Sequence, residues 1–298
     1  MKTINNIDYT LLTVVLVLIS YESRILAQGT IMRSNEDFGN KGIIFADNSA
    51  YEYTFFGDEN MRVIYDYTLA FKDKKLSPIN SEYILQIGTS TTKFYSEIQH
   101  QCDSMLVQAD GKEYLTPRYN LYDKANFLFV QDCFYIEPST GNLTFTGRLV
   151  TEDFEYNETL PGISWQMLPG EKTICGYSCK KAKGSFRGRD WEVWYTEQIP
   201  SSSGPWKLRG LPGVILSATD SNGECSFVAK TVRKGNGKIF KAQYPYIKIK
   251  REQYTKMQQQ YLEQQGAFSS QHTSRSGIRI TQIEKQKPPP AVIELEKK

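Results

Sequence analysis

The chain has 298 residues, a formal net charge of +3 and 13% aromatic residues, with 19 Tyr and 15 Phe. That length supports one or two domains with a sizeable core, and so many aromatic residues argue against an all-helical fold. The small positive charge demands neither nucleic acid nor an anionic membrane as partner.

The N-terminus carries Lys2, an apolar run from Thr10 to Ile19, and a short segment from Ser20 ending on the small residue Ala27. This is the layout of a secretory signal peptide cleaved after Ala27. The run is shorter than the roughly 20 residues that a spanning helix needs, so no transmembrane segment is expected after cleavage. The expected organisation is a signal peptide over 1–27, one β-rich domain over 28–265 and a polar, Pro-containing tail over 266–298.

Val63, Tyr65, Tyr67, Leu69 and Phe71 alternate with Ile64, Asp66, Thr68 and Ala70, which predicts a strand over 62–71. A second short strand follows over 83–87. Phe94, Ile98, Cys102 and Met105 fall on one stripe at helical spacing and predict a helix over 92–108, with a strand near 89–92 as the alternative. From 126 onward apolar segments alternate with turn residues: 127–136, 143–150, 152–158, 163–168, 173–182, 190–197, 214–219 and 225–232. Short turns between consecutive strands predict an antiparallel meander. Tyr254, Met257 and Tyr261 mark one face of a helix over 250–265. The expected fold is α+β, mainly β: a curved antiparallel sheet with two packed helices.

Few residues offer chemistry. His100 and His272 are the only histidines, and neither a phosphate-binding loop nor a dinucleotide fingerprint is present. Cys175 and Cys179 are spaced as in some metal sites. On one strand they would lie about 13 Å apart, too far to bond to each other. Asp190, Glu192 and Glu197 lie on or beside one strand, but an acid–base pair must converge from separate segments. Five of the ten residues Lys180 to Arg189 are basic, and Arg233, Lys234, Lys238 and Lys241 form a second basic group. Both are expected as solvated loop tips. Asn142-Leu143-Thr144 and Asn157-Glu158-Thr159 match the N-glycosylation pattern and are expected to matter only in a eukaryotic secretory route. No catalytic, cofactor-binding or metal residue is assigned.

Leu-Pro-Gly occurs at Leu160, Leu168 and Leu211. Pro and Gly suit the two central positions of a type II turn, so one turn chemistry is expected three times. The third copy sits within Gly204-Pro205-Trp206 and Gly210 to Ile215. With Gly176, Tyr177, Cys179, Lys181, Ala182, Trp194, Tyr195 and Thr196, this stretch resembles the GLPGLI family. The resemblance implies an exported envelope protein of a Gram-negative bacterium, periplasmic or secreted, and brings no catalytic residue. The expected function is a non-enzymatic binding or accessory module with an apolar ligand or an outer-membrane transport protein as partner. The alternatives are an envelope hydrolase with an unrecognised carboxylate or Cys site, and a Cys-based metal-binding protein.

Overall fold

The computed structural model describes residues 53–70, 78–108, 131–149, 152–242 and 245–268. The leader segment 1–27, the segment 127–130 and the residues beyond Phe268 lie outside them. The strands are β1 (Tyr53–Asp58), β2 (Met61–Leu69), β3 (Ile79–Ile87), β4 (Thr92–Ser96), β5 (Cys133–Ile136), β6 (Asn142–Leu149), β7 (Glu152–Thr159), β8 (Gln166–Ile174), β9 (Tyr177–Phe186), β10 (Arg189–Thr196), β11 (Val214–Asp220), β12 (Cys225–Lys234), β13 (Lys238–Ala242) and β14 (Ile247–Lys248). The helices are α1 (Glu97–Gln108) and α2 (Arg251–Phe268).

The alternation on β2 organises the centre. Val63, Tyr65, Tyr67 and Leu69 are all at most 2% exposed. β2 pairs antiparallel with β3 on one side and β12 on the other. From there the sheet extends to 12 strands in the order β14-β7-β6-β5-β4-β3-β2-β12-β11-β10-β9-β8. It is therefore two meanders joined at β2 and β12, not one continuous meander, and its ends do not pair. β14 lies parallel to β7, so the sheet is mixed. β1 and β13 form a separate two-stranded sheet. The protein is mainly β with two helices, an α+β fold.

The core face is an aromatic relay. Tyr67 meets Tyr83 and Phe227, and Tyr83 stacks on Phe94 at 5.1 Å. Phe94 continues to Phe134, Phe134 to Phe145, and Phe145 stacks on Tyr156 at 4.5 Å. Such ring pairs add to the free energy of burial. Tyr254 of α2, fully buried, closes the relay against Phe145 and Phe154. Gly147 permits this approach, since a Cβ there would lie 2.7 Å from the Tyr254 hydroxyl.

Three local expectations are corrected. The helix predicted over 92–108 begins at Glu97; residues 92–96 are β4, whose Phe94 belongs to the sheet core. Ser96 ends the strand and caps the helix, its Oγ accepting from the Gln99 N–H at 3.0 Å. The strand predicted over 173–182 is broken by a reversal: Cys175 and Gly176 both have positive φ and join β8 to β9. The three Leu-Pro-Gly copies share no turn chemistry. Gly170 has φ +132° at an irregularity in the β8–β9 ladder. Gly162 and Gly213 are not among the positive-φ residues. Gly213 is required for proximity instead, because a Cβ there would lie 1.9 Å from the Thr196 carbonyl oxygen.

Candidate functional site

Residues of β5, β6 and β7, with Phe56, Thr91 and Glu137, line a groove of about 530 Å³. One wall is aromatic: Tyr135 of β5 and Phe56 of β1 lie with ring centroids 5.5 Å apart. The floor is polar and follows from strand register. β6 and β7 pair Asn142 with Thr159 and Thr144 with Asn157. Thr159 Oγ1 donates to Asn142 Oδ1 at 3.2 Å, and Thr144 Oγ1 donates to Asn157 Oδ1 at 2.8 Å. The two glycosylation-type tripeptides thus bind each other in a reciprocal ladder.

Glu137 follows β5 at the rim. Its Oε2 accepts from Thr140 Oγ1 at 2.9 Å and Asn142 Nδ2 at 3.1 Å. Its Oε1 has no hydrogen-bond partner among the described residues. Glu158, the second carboxylate of the groove, is committed elsewhere. Lys207 Nζ lies 3.0 Å from its Oε1, while Arg187 and Arg251 reach its Oε2 at 2.6 and 3.3 Å.

Lys207 belongs to the segment between Ile199 and Gly213, which runs from β10 to β11. It is fully buried, with its ammonium near the rings of Phe134, Tyr156 and Trp206. A buried ammonium is costly unless paired, and Glu158 with the ring faces offsets that cost. Trp206 holds φ +55°, rare for a bulky side chain, and packs against Trp191 and Phe186. Arg209 reaches across to the turn between β5 and β6 and to the end of β7, donating to the Pro138 carbonyl at 2.8 Å and the Leu160 carbonyl at 3.1 Å. The segment is therefore a strap. Its side chains hold the groove end of the sheet to the strands from β9 to β11, beyond what a tight turn alone would do.

The other residues singled out in the sequence do not converge. His100 is held by Tyr95 Oη at Nδ1 (2.9 Å) and Arg62 Nη1 at Nε2 (3.2 Å), and Arg62 is paired to Glu59 at 2.6 Å. Because arginine only donates, Nε2 accepts, Nδ1 carries the proton, and the ring is a bridge in a structural network. Asp190 accepts from Ser185, Glu192 pairs with Lys181, and Glu197 pairs with Lys180, as three separate contacts. The basic stretches are only partly solvated: Arg187 and Arg189 turn inward to Glu158, Asp220 and Glu224, and Lys241 pairs with buried Glu155. His272 lies outside the described residues.

Cys133, Cys175, Cys179 and Cys225 are free thiols. Cys175 sits in the reversal and Cys179 inside the sheet, so they do not share a strand face. Burial pushes the thiols of Cys175, Cys179 and Cys225 above their ordinary value, which disfavours the thiolate that binds metal. Among the described residues no group of three His, Cys, Asp or Glu could hold a metal ion, and no helix is long and apolar enough to cross a membrane.

Neither Asn-x-Thr tripeptide by itself marks the groove in the sequence. The usable signal was their pairing: two Asn-x-Thr tripeptides on neighbouring strands predict facing Asn–Thr pairs if the strands are antiparallel. The strap escaped because Lys207 stands between apolar residues, where a single lysine does not advertise burial.

Two solved structures titled as PNGF-II, in space groups P21 and C2, resemble the chain at 18% and 19% identity. Their TM-scores are 0.47 and 0.45, covering 68% of this chain and 34% and 33% of theirs. The chain spans about a third of the length of those structures. No curated protein matches it. A family model described as "N-glycanase peptide, N-terminal domain" matches residues 92–255. That match overturns the resemblance to the GLPGLI family and, because the family's name is that of an enzyme, the expectation of a non-enzymatic accessory module. The Gly-Leu-Pro-Gly stretch that carried the resemblance is explained locally by the close approach of Gly213 to Thr196. With a match over more than half of its length, the chain belongs to the N-glycanase N-terminal domain family.

Proposed function

We propose that the chain is an exported hydrolase domain of the N-glycanase type, acting on N-linked glycoproteins. The family match over residues 92–255 carries this reading, and the leader-like segment over 1–27 supports export. It takes up the hydrolase alternative raised by the sequence, with a carboxylate and not a cysteine at its centre.

Releasing a glycan from asparagine consumes one water. The hydroxyl goes to one side of the cleaved bond and a proton goes to the leaving atom. A carboxylate in reach of the bond can move that proton. Glu137 is the groove carboxylate suited to it: exposed at the rim, oriented by Thr140 and Asn142 through one oxygen, with the other open. Glu158 is unsuited, since three cations occupy its oxygens. The raised pKa of Cys175, Cys179 and Cys225 argues against a thiolate nucleophile at these three positions.

The test is incubation of the purified chain with an N-glycosylated protein, reading free glycan by mass spectrometry. Release is expected, falling about 100-fold or more in Glu137→Gln, in line with the loss of one acid–base group. Absence of release at any enzyme concentration would overturn the reading.

A further inference from the structure

We propose that Arg209 is the positioning residue of the groove carboxylate: it holds the turn that carries Glu137, so that the open oxygen of Glu137 keeps one place at the rim. What Glu137 does rests on the hydrolase reading; how it is held rests on geometry.

Among the described residues Glu137 is oriented by its own turn alone. Its Oε2 accepts from Thr140 Oγ1 and Asn142 Nδ2, and Thr140 Oγ1 accepts in turn from the Asn142 N–H at 3.1 Å. The backbone closes the turn, with the Glu137 N–H donating to the Asn142 carbonyl at 2.9 Å and the Gly141 N–H to the Glu137 carbonyl at 2.8 Å. The carboxylate is therefore placed no more firmly than residues 137–142 are.

Arg209 is the one side chain from outside this turn that hydrogen-bonds to its backbone, among the described residues. Nη1 donates to the carbonyl of Pro138, the neighbour of Glu137, and Nη2 to that of Leu160, just past β7. The Leu160 N–H donates in turn to the Gly141 carbonyl at 2.8 Å. One planar guanidinium thus ties the turn to the adjoining strand end. Gly141 makes room for it: a Cβ there would lie 2.0 Å from Nη2, and its φ of +79° suits glycine. The backbone of Arg209 is itself anchored, its carbonyl accepting from Trp165 Nε1 at 2.9 Å and its strand bridging to Ser203.

The choice of arginine is what separates positioning from plain fastening. Among the described residues no carboxylate pairs with Arg209, its Nε is buried without a partner, and burial pushes the guanidinium below its ordinary value. A cation enclosed without a counter-charge is costly, and an apolar side chain would fill the same space without that cost. What the rigid fork supplies instead is direction, since it fixes two carbonyls in one plane at once. A proton-transferring carboxylate needs that precision, because a displacement of about 1 Å can cost about 100-fold in rate.

The test is a double-mutant cycle on the full chain with Arg209→Met, Glu137→Gln and the two combined, reading glycan release from an N-glycosylated protein. Arg209→Met should lower kcat about tenfold or more with KM changed by less than about twofold. Added to Glu137→Gln it should cost nothing further, because a residue that acts through Glu137 has nothing left to act on. Equal losses in both backgrounds would make Arg209 a structural fastening and overturn the proposal. If Arg209→Met fails to fold, Arg209→Lys, which keeps the charge but not the fork, replaces it in the cycle. Nuclear magnetic resonance supplies a readout that needs no activity. In the Arg209 variant the Gly141 and Leu160 amides should lose their protection from exchange, and the Asn142 Nδ2 protons should lose the shift that their bond to Glu137 gives, while the β2 amides stay protected. Unchanged Gly141, Leu160 and Asn142 signals would overturn the latch whatever the activity. Absence of release from the parent chain, with those signals lost in the variant, would remove the hydrolase reading and leave Arg209 as the residue that places this carboxylate.

Discussion

The two ends of the large sheet carry charge in opposite ways. At the β8–β10 end the sequence is dense in lysine, and the Lys180–Glu197 pair there sits in water, its side chains 58% and 45% exposed. At the β5–β7 end basic residues are sparse in sequence, and the key charges are enclosed. Lys207 is fully buried, and Glu158 gathers it with Arg187 and Arg251, delivered from three separate segments. Exposed pairs contribute little, whereas an enclosed pair is costly to break. The density of charge in the sequence is thus a poor guide to which charges hold the fold together.

The largest effect should come from Glu158→Gln. It leaves Lys207 enclosed without its carboxylate and strands two arginines beside it, at a cost of about 3–5 kcal/mol. Lys207→Met should cost clearly less, because Glu158 keeps both arginines and the methionine fills an apolar space. Lys180→Ala should leave the melting temperature unchanged. Equal losses for Glu158→Gln and Lys180→Ala in thermal unfolding would erase the distinction between the two ends.

Next in size is a pair of substitutions in two copies of one tripeptide. Gly213→Ala drives a Cβ into the Thr196 carbonyl and should cost about 3 kcal/mol through backbone displacement. Gly162→Ala meets open space, with nothing within 4 Å. It should be neutral or stabilise by a few tenths of a kcal/mol through the unfolded chain, at the low end of such replacements, roughly 0.4–1 kcal/mol. Chemical denaturation of both variants checks this. A loss at Gly162 comparable to that at Gly213 would restore a shared turn role for the tripeptide.

These cases show what was legible in the sequence. Strands with one buried face were: the alternation from Val63 to Leu69 located β2, because periodicity reports burial directly. The α1 boundary was not, because Phe94 satisfies a helical stripe and a strand face equally well, and only pairing with β3 and β5 decides between them. The candidate site was least legible. Glu137 and Asn157 lie on different strand segments and come to one groove through register. Lys207 reveals its role only once Glu158 faces it. Pairwise contacts between distant segments leave no periodic trace.

Glu155 extends the contrast between the two ends to pH. Burial alone would raise its carboxyl, but Lys241 and Lys248 outweigh burial and hold it below its ordinary value. A depressed folded-state pKa means stability that is fully present above the unfolded value, about 4.3, and lost as pH falls through the folded one. Glu155→Gln should therefore cost about 2 kcal/mol at neutral pH, the worth of a charge-assisted hydrogen bond. The variant should also lose less stability than the parent chain between about pH 5 and pH 3. Urea unfolding across that range measures both slopes. Parallel slopes would mean that Lys241 and Lys248 do not hold this carboxylate, and that the stabilising charges of the groove end are confined to Glu158.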